Sequence, residues 1–263
     1  MTNLATLIGG RIAHARGTSF LLAEKSLSEL ECGATGEYIR KNYQKLTRHV
    51  LGEHLPALSH MLKKNMLFCD IESAGIYPHD PVISIAIAHL GKSIHVSCAL
   101  ARDYGETEGV LGYFAEQLTP DTSLFTFNGN SYDIPRINTQ LRAKGILNGS
   151  PATVQEMIEG HHYDLYTLVK SMIRLRERNA PLKAPSLLRG YQRLQTFTKR
   201  LFNEHREGDI PGIQIPQIYQ RYIAGEPVEE DIARIITHNM IDVVDLVALL
   251  TYYCVEPSPK TPA

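Results

Sequence analysis

The sequence predicts an α/β fold in which a mixed five-stranded sheet is flanked by helices. Short apolar runs bounded by turn residues predict strands at 67–71, 82–89, 93–99, 123–127 and 161–164. Gly91 and Lys92 form a two-residue hairpin signal, which makes the second and third strands antiparallel. Helical spacing predicts helices at 108–117, 131–144, 165–176, 186–206, 217–224 and 229–253. Strands that alternate with helices are typical of a sheet covered on both faces.

The chain before the first of these strands has weaker patterns. Residues 17–23 favour one short strand, and residues 36–64 are rich in helix formers, with leucines at helical spacing. We therefore expect residues 1–65 to form an extension that packs on a main domain of residues 66–253. Residues 254–263 contain three prolines and are predicted to be a disordered tail.

The composition is that of a globular protein with one sizeable core. The chain has 263 residues, of which 43% are hydrophobic and 21% charged, and its formal net charge is −1. The net charge shows no global basicity, although a local patch can still bind nucleic acid. No apolar run is long enough to span a bilayer, and the first residues lack the pattern of a secretory signal. The four cysteines have no C-x-x-C spacing, so we expect a reducing, cytoplasmic setting and no membrane.

Two acids interrupt the first predicted strand of the main domain. Asp70 and Glu72 are two residues apart, so an extended chain points both side chains to one face. Neighbouring carboxylates disfavour each other's charge unless a cation lies between them, and hard divalent cations prefer oxygen ligands. The pair therefore predicts a metal site. The alternative is an edge strand with a solvated polar face.

A third acid follows the fourth predicted strand. Asn128 and Gly129 turn the chain, and Asp133 falls in the first turn of the next helix. Because this strand is expected to neighbour the first, Asp133 can reach the same edge of the sheet as Asp70. An acid in a first helical turn is also favoured by the helix itself, which leaves a purely structural role open. Asn128 is expected to hydrogen-bond the turn, and Tyr132 either stacks on a base or packs.

The last candidates lie in the long C-terminal helix. His238 and Asp242 are four residues apart and share one face, amid apolar residues. This pattern predicts a site on the buried side of the helix. The alternative is a surface pair worth about 0.2–0.5 kcal/mol. Asp245 is a second acid on a similar face and a fallback ligand.

These motifs, in this order, resemble the three exonuclease motifs of the DEDD (DnaQ-like) superfamily, which are here Asp70-x-Glu72, Asn128-x-x-x-Tyr132-Asp133 and His238-x-x-x-Asp242. Further segments resemble one branch of that superfamily, the YprB-like domains: His162-x-Asp164-Leu165, Asp209-Ile-Pro-Gly212, Ile215-Pro216 with Tyr219, and His238-Asn239-x-x-Asp242. The resemblance covers about residues 66–253. One departure is that His238 stands four residues before the last aspartate, where histidine-type members have five and tyrosine-type members have a tyrosine at four.

The resemblance implies a ribonuclease H-like fold and a 3′–5′ exonuclease that uses two divalent cations. The implied metal ligands are Asp70, Glu72, Asp133 and Asp242. His238 is implied as the base that activates water, which its ordinary pKa near 6.5 allows. The predicted substrate-binding residues are Asn128, Tyr132 and Asp164. Asp164 also has the pattern of a helix N-cap.

The expected cations are Mg²⁺ or Mn²⁺, because the site is rich in acids and lacks cysteine. The expected partner is single-stranded DNA or RNA. Residues 170–206 carry ten basic residues against two acidic ones, with Tyr191 and Phe197 interleaved. Such a strip suits a phosphate backbone with stacked bases, although a charge run is also typical of a solvated helical face.

Two other functions remain open from the sequence. One is a catalytically silent nucleic-acid-binding domain that keeps the fold. The other is an endonuclease of the ribonuclease H type, which an open substrate channel would favour.

Overall fold

A computed structural model describes residues 3–51, 65–91, 93–146, 161–178 and 193–255, without the side chains of 47–51 and 172–178. These residues contain a seven-stranded sheet whose strands are β1 (Arg11–Ala15), β2 (Thr18–Ser26), β3 (Asn65–Ser73), β4 (Val82–Leu90), β5 (Ile94–Leu100), β6 (Thr122–Thr126) and β7 (His162–Asp164). The spatial order is β1-β2-β5-β4-β3-β6-β7. β6 pairs in parallel with β3 and β7, and the other neighbours are antiparallel.

The helices lie on both faces of this sheet. The described ones are α1 (Leu4–Ile8), α2 (Gly33–Leu51), α3 (Thr107–Gln117), α4 (Asp133–Ala143), α5 (Leu165–Arg178), α6 (Leu194–Phe202), α7 (Ile215–Ile223) and α8 (Glu229–Val255). Two short 3₁₀ turns, Tyr104–Glu106 and Gly212–Gln214, precede α3 and α7. The predicted helical stretches 52–64 and 186–192, Lys92 of the hairpin and residues 256–263 of the predicted tail lie outside the described residues. The first two residues of that tail, Cys254 and Val255, are instead the end of α8.

The predicted α/β fold is confirmed, but the count of five strands was wrong. The segment before residue 65 contributes two further strands instead of one. β2 pairs antiparallel with β5, from Leu21 opposite Leu100 to Ser26 opposite His95, and β1 closes a hairpin on it. The physical reason is that β5 has a hydrogen-bonding edge that needs a partner, and the apolar residues 20–23 supply one. The proposed boundary at residues 65 and 66 remains a prediction.

Two cores form on opposite faces of the sheet because side chains alternate along each strand. On β3, Met66 and Phe68 belong to one core, while Leu67 and Cys69 belong to the other. α8 fills the first core with apolar residues over most of its 27 residues. α3 and α4 cover the second. Asp70 and Glu72 follow Met66 and Phe68 at two-residue spacing, so their side chains point to the same face of the sheet, which α8 covers. The position of α8 therefore decides which residues can reach these two acids.

One buried carboxylate ties the N-terminal segment to the end of α6. Glu204 accepts hydrogen bonds from the Thr35 backbone N–H at 2.7 Å and from the Thr35 hydroxyl at 3.0 Å. These groups lie at the start of α2, where unpaired N–H groups favour a negative charge. α2 packs along α8, so the segment before residue 65 braces the helix that carries His238 and Asp242.

Within the described residues, no helix is both long enough and apolar enough to cross a membrane.

Candidate functional site

The acids of β3 lie where that strand outruns its parallel neighbour. β6 pairs with β3 as far as Phe125 opposite Phe68, so Asp70 and Glu72 lie beyond the end of this ladder. On their other side they pair with Ala86 and Ser84 of β4, and a bulge follows Glu72. Their side chains point to the face covered by α8, so one edge of the sheet and one helix enclose them.

The turn after β6 brings Asp133 to the same place. Asn128 has a φ of 59°, a conformation that asparagine tolerates better than most residues. A Cβ on Gly129 would lie 1.9 Å from the Thr126 hydroxyl oxygen, so this position requires glycine. Asp164 fixes the turn by accepting a hydrogen bond from the Asn128 N–H at 2.9 Å. Asp133 then opens α4 and is 3% exposed.

α8 supplies the third group of side chains. His238 and Asp242 are both buried and lie one turn apart. His238 Nε2 is 3.5 Å from Glu72 Oε1 and 3.5 Å from Asp242 Oδ2. His238 Nδ1 is 2.5 Å from Asp209 Oδ1. The ring therefore bridges an acid on the loop after α6 and the acids of the sheet edge.

The structure brings the five predicted catalytic residues to one cleft of about 310 Å³, namely Asp70, Glu72, Asp133, His238 and Asp242. Asn128 and Tyr132 line the same cleft. Arg193, Gln195, Gly212 and Ile213 form part of its rim. The cleft thus combines residues from five separate parts of the sequence.

Burial and mutual repulsion dominate the electrostatics of the cleft. Burial raises the pKa of Asp70 well above its usual range, and the charges of Asp242, Asp133 and Glu72 raise it further. Burial also raises the pKa of Glu72 to about 8, although His238 opposes this effect. Burial raises the pKa of Asp133 to about 7, against the hydrogen bonds of backbone amides. Ionising all of these acids together is therefore unfavourable unless a cation lies among them.

His238 carries a positive charge at neutral pH in this arrangement. Burial by itself lowers its pKa, but Asp242, the hydrogen bond to Asp209 and Glu72 outweigh that effect, and the pKa is raised to about 9. Asp209 accepts the proton on Nδ1, so the other ring nitrogen, Nε2, faces the acids of the cleft. An acid that fixes one ring nitrogen also determines which nitrogen can exchange a proton with a bound molecule.

The chemistry of the donor set fits hard divalent cations, but the described residues contain no preformed cluster of three or more Asp, Glu, His or Cys side chains arranged to hold one. Asp242 Oδ1 lies 2.5 Å from Arg206 Nη1, and within the described part of the chain neither atom makes a well-directed hydrogen bond. Arg206 also pairs with Asp245. A buried carboxylate oxygen without a directed donor is available as a ligand once Asp242 turns from Arg206.

Three predicted roles are changed by these contacts. Arg206 is 9% exposed at its side chain and pairs with Asp242 and Asp245, so it does not belong to a basic strip on the surface. Asp245 is fully buried in that pair and does not line the cleft. Phe197 is buried against Phe127, which excludes it from stacking on a base.

Two predicted substrate-binding residues have structural contacts. Asp164 accepts hydrogen bonds from the backbone N–H groups of Asn128 and Tyr166, so it acts as the predicted helix cap and also holds the turn. It is absent from the described lining of the cleft. The Tyr132 hydroxyl is 2.9 Å from the Ser73 hydroxyl, and Arg136 lies 3.6 Å above the Tyr132 ring. That ring has one face covered, and it remains part of the cleft wall.

The contact between Asp209 and His238 was missed by sequence reasoning. Asp209 lies in an irregular loop, where no periodicity indicates its neighbours. The only signal was the Asp209-Ile-Pro-Gly212 motif itself.

We expect Asp209→Asn to lower the pKa of His238 from about 9 towards the ordinary value of 6.5, because a neighbouring negative charge is lost. An NMR pH titration of the His238 ring measures this change. Asp231→Asn is the matched control, since Asp231 pairs with Arg234 on the surface. Equal His238 pKa values in the two variants would contradict the assigned role of Asp209.

The fold and this site define an α/β domain with an acidic cleft at the edge of a mixed sheet. A family model described as the RNase_H superfamily matches residues 67–254. The chain belongs to the RNase_H superfamily.

Comparison with solved structures gives weaker likenesses. A product-bound exonuclease I is 13% identical with a TM-score of 0.38, covering 64% of this chain and 46% of that chain. E. coli exonuclease I in complex with a dA16 oligonucleotide is 14% identical with a TM-score of 0.37, covering 64% and 42%. Another exonuclease I structure is 14% identical with a TM-score of 0.40, covering 71% and 40%. The aligned region is therefore less than half the length of each of these proteins. No curated protein matches the sequence.

Proposed function

We propose that this protein is a metal-dependent 3′–5′ exonuclease that hydrolyses phosphodiester bonds of single-stranded nucleic acid. The observation that carries the proposal is the convergence of Asp70, Glu72, Asp133 and Asp242 on one cleft beside His238. A cleft with four buried acids is electrostatically unfavourable without cations, and phosphodiester hydrolysis is a reaction that paired cations promote. Membership of the RNase_H superfamily supports a nuclease.

Asp70, Glu72, Asp133 and Asp242 would hold two divalent cations, Mg²⁺ or Mn²⁺. When bound, such cations polarise the phosphodiester and stabilise the charge that develops on its oxygens. Their oxygen-rich ligand set favours these ions over Zn²⁺.

The chain's own residues divide the remaining tasks. His238 Nε2 faces the acids and is placed to accept a proton from the attacking water, while Asp209 keeps Nδ1 protonated. Asn128 and Tyr132 on the cleft wall would contact the terminal nucleotide. Asp164 would act on substrate binding indirectly, through the turn that it holds.

Two finer assignments belong to the same proposal. The segments around His162, Asp209 and His238 support placement in the YprB-like branch of the superfamily. The four cysteines are all buried and unpaired, which supports a reducing, cytoplasmic setting.

A second candidate is a catalytically silent nucleic-acid-binding domain. The observation that favours it is the pairing of Asp242 with Arg206, together with the lack of a preformed metal cluster among the described residues. In a domain that binds no metal, Arg206 would compensate the buried charge of Asp242.

One experiment separates these functions. Linear DNA and RNA strands labelled at the 5′ end, and circular single strands, are incubated with Mg²⁺, Mn²⁺ or EDTA, using the wild type and Asp70→Ala. The proposal predicts a ladder shortened from the 3′ end, intact circles, and no cleavage with EDTA or the variant. Cleaved circles would indicate an endonuclease. Binding without cleavage in every metal would indicate the silent domain.

A further inference from the structure

Three hollows of the molecule meet at His238. The first is the acidic cleft. The second, of about 610 Å³, shares His238, Arg193, Gln195 and Gly212 with the cleft and is therefore continuous with it. The third, of about 770 Å³, shares His238 with the cleft and opens on the other side of Asp209. Among the described residues, two hollows thus adjoin the cleft, and either is a candidate path for a polymer whose end lies there.

The second hollow has a cationic wall, which we call the cationic groove. Its helical wall is formed by Arg193, Thr196, Lys199 and Arg200, and its other wall by Asp209, Ile210 and Pro211. Asp209 is the one acid among these residues, and it pairs with His238. Arg193, Lys199 and Arg200 are exposed. They span about 10 Å along α6, which is anchored by Leu194 and Phe197 in the core. A helix fixed by its apolar face holds the opposite face, with its cations, at a constant distance from the cleft.

The third hollow has the opposite charge. Its walls carry four acids that the groove lacks, Glu31, Glu204, Glu207 and Glu230, and it shares Asp209 with the groove. Its two arginines are already paired, Arg206 with Asp242 and Asp245, and Arg234 with Asp231. A phosphate backbone is therefore repelled from this hollow and attracted to the cationic groove.

We propose that a single nucleic-acid strand whose 3′ end lies in the cleft leaves it through the cationic groove, where Arg193, Lys199 and Arg200 bind its phosphates. This inference rests on the proposed function for the position and polarity of the strand end. The groove itself is assigned from its charge and its continuity with the cleft. It adds a binding surface for the nucleotides on the 5′ side of the reacting bond.

The test is the double substitution Lys199→Glu with Arg200→Glu. Binding of fluorescein-labelled dT12 is measured by anisotropy in EDTA, at several salt concentrations, so that no catalysis is required. We expect the Kd to rise about tenfold or more, and the slope of log K against log salt to become shallower by about 0.7 for each phosphate that the variant no longer binds. Wild type should also hydrolyse the p-nitrophenyl ester of thymidine 5′-monophosphate in Mn²⁺, a substrate that occupies the cleft alone and so tests the proposed exonuclease separately from the groove.

The matched control is Lys41→Glu with Lys45→Glu, which makes the same change in charge on two exposed lysines of α2 that line neither hollow. If both double variants weaken dT12 binding equally, or wild type does not bind dT12, the groove is refuted. If wild type binds dT12 through the groove but cleaves neither substrate in any metal, the groove stands and the proposed exonuclease fails.

Discussion

Asp70→Asn is expected to abolish cleavage while making the metal-free protein more stable. The amide keeps the size of the side chain but removes a charge from the centre of four mutually repelling acids. Because burial raises the folded-state pKa of Asp70, ionising it costs stability at every pH above its ordinary pKa of 3.8, and this cost grows as the pH rises. Each unit of pKa difference corresponds to about 1.4 kcal/mol.

Thermal unfolding in EDTA measures the stability half of this prediction. At pH 8 the Tm of Asp70→Asn should exceed that of wild type, by about 2–4 °C for each kcal/mol. At pH 5 the difference should shrink, because the raised pKa values of Asp70, Glu72 and Asp133 leave these three acids largely protonated in the folded wild type. Adding Mn²⁺ should raise the Tm of wild type more than that of the variant.

The control for this variant is Asp121→Asn, an exposed acid outside the cleft, which should change neither the Tm nor the activity. Retention of more than about 1% of wild-type cleavage by Asp70→Asn would contradict its role as a metal ligand.

His238→Ala is expected to lower kcat by about 10²–10⁴-fold, the range typical of a positioned general base. The proposed role of this histidine is to accept a proton from the attacking water, so kcat is the readout of the variant. His238 is buried, and its pKa of about 9 without cations results from the acids around it. Cations that neutralise those acids would lower this pKa and free Nε2 to accept a proton.

The pH dependence distinguishes catalysis from a structural role. For wild type in Mn²⁺ we expect kcat to rise with pH and level off below the metal-free pKa of about 9. In His238→Ala this rising limb should be lost. His238→Gln, which keeps a polar side chain of similar reach, is the control for packing. Full activity in His238→Gln would show that the ring only fills space.

The positions of the acids were predictable from local rules. The parity of a strand places Asp70 and Glu72 on one face, and helical spacing places His238 and Asp242 one turn apart. Asp133 was predictable because the chain turns at Asn128 after a strand parallel to β3. The first two inferences need only the periodicity of one element, whereas the third also needs two strands to be neighbours.

The contacts that depend on irregular chain paths were not predictable. Asp209 reaches His238 from a loop, and Arg206 turns inward to Asp242, so counting it among surface charges was an error. Phe197 faces the core because it lies on the apolar face of α6. The many basic residues around it made this apolar face difficult to recognise in the sequence. The local sequence shows the charge of a residue and the periodicity of its element. It does not show which side chain from a distant part of the chain will pack against that residue.

The hairpin of β1 and β2 has a consequence for handling fragments of this protein. A fragment restricted to residues 67–254, the region of the family match, would lack β2 and leave the outer edge of β5 uncovered. β5 is apolar along most of its length, and a bare strand of this kind is a template for intermolecular pairing. If such a shortened chain self-associates, the cause would be the loss of β2 from the edge of β5. The result would give no information on the assembly state of the 263-residue chain.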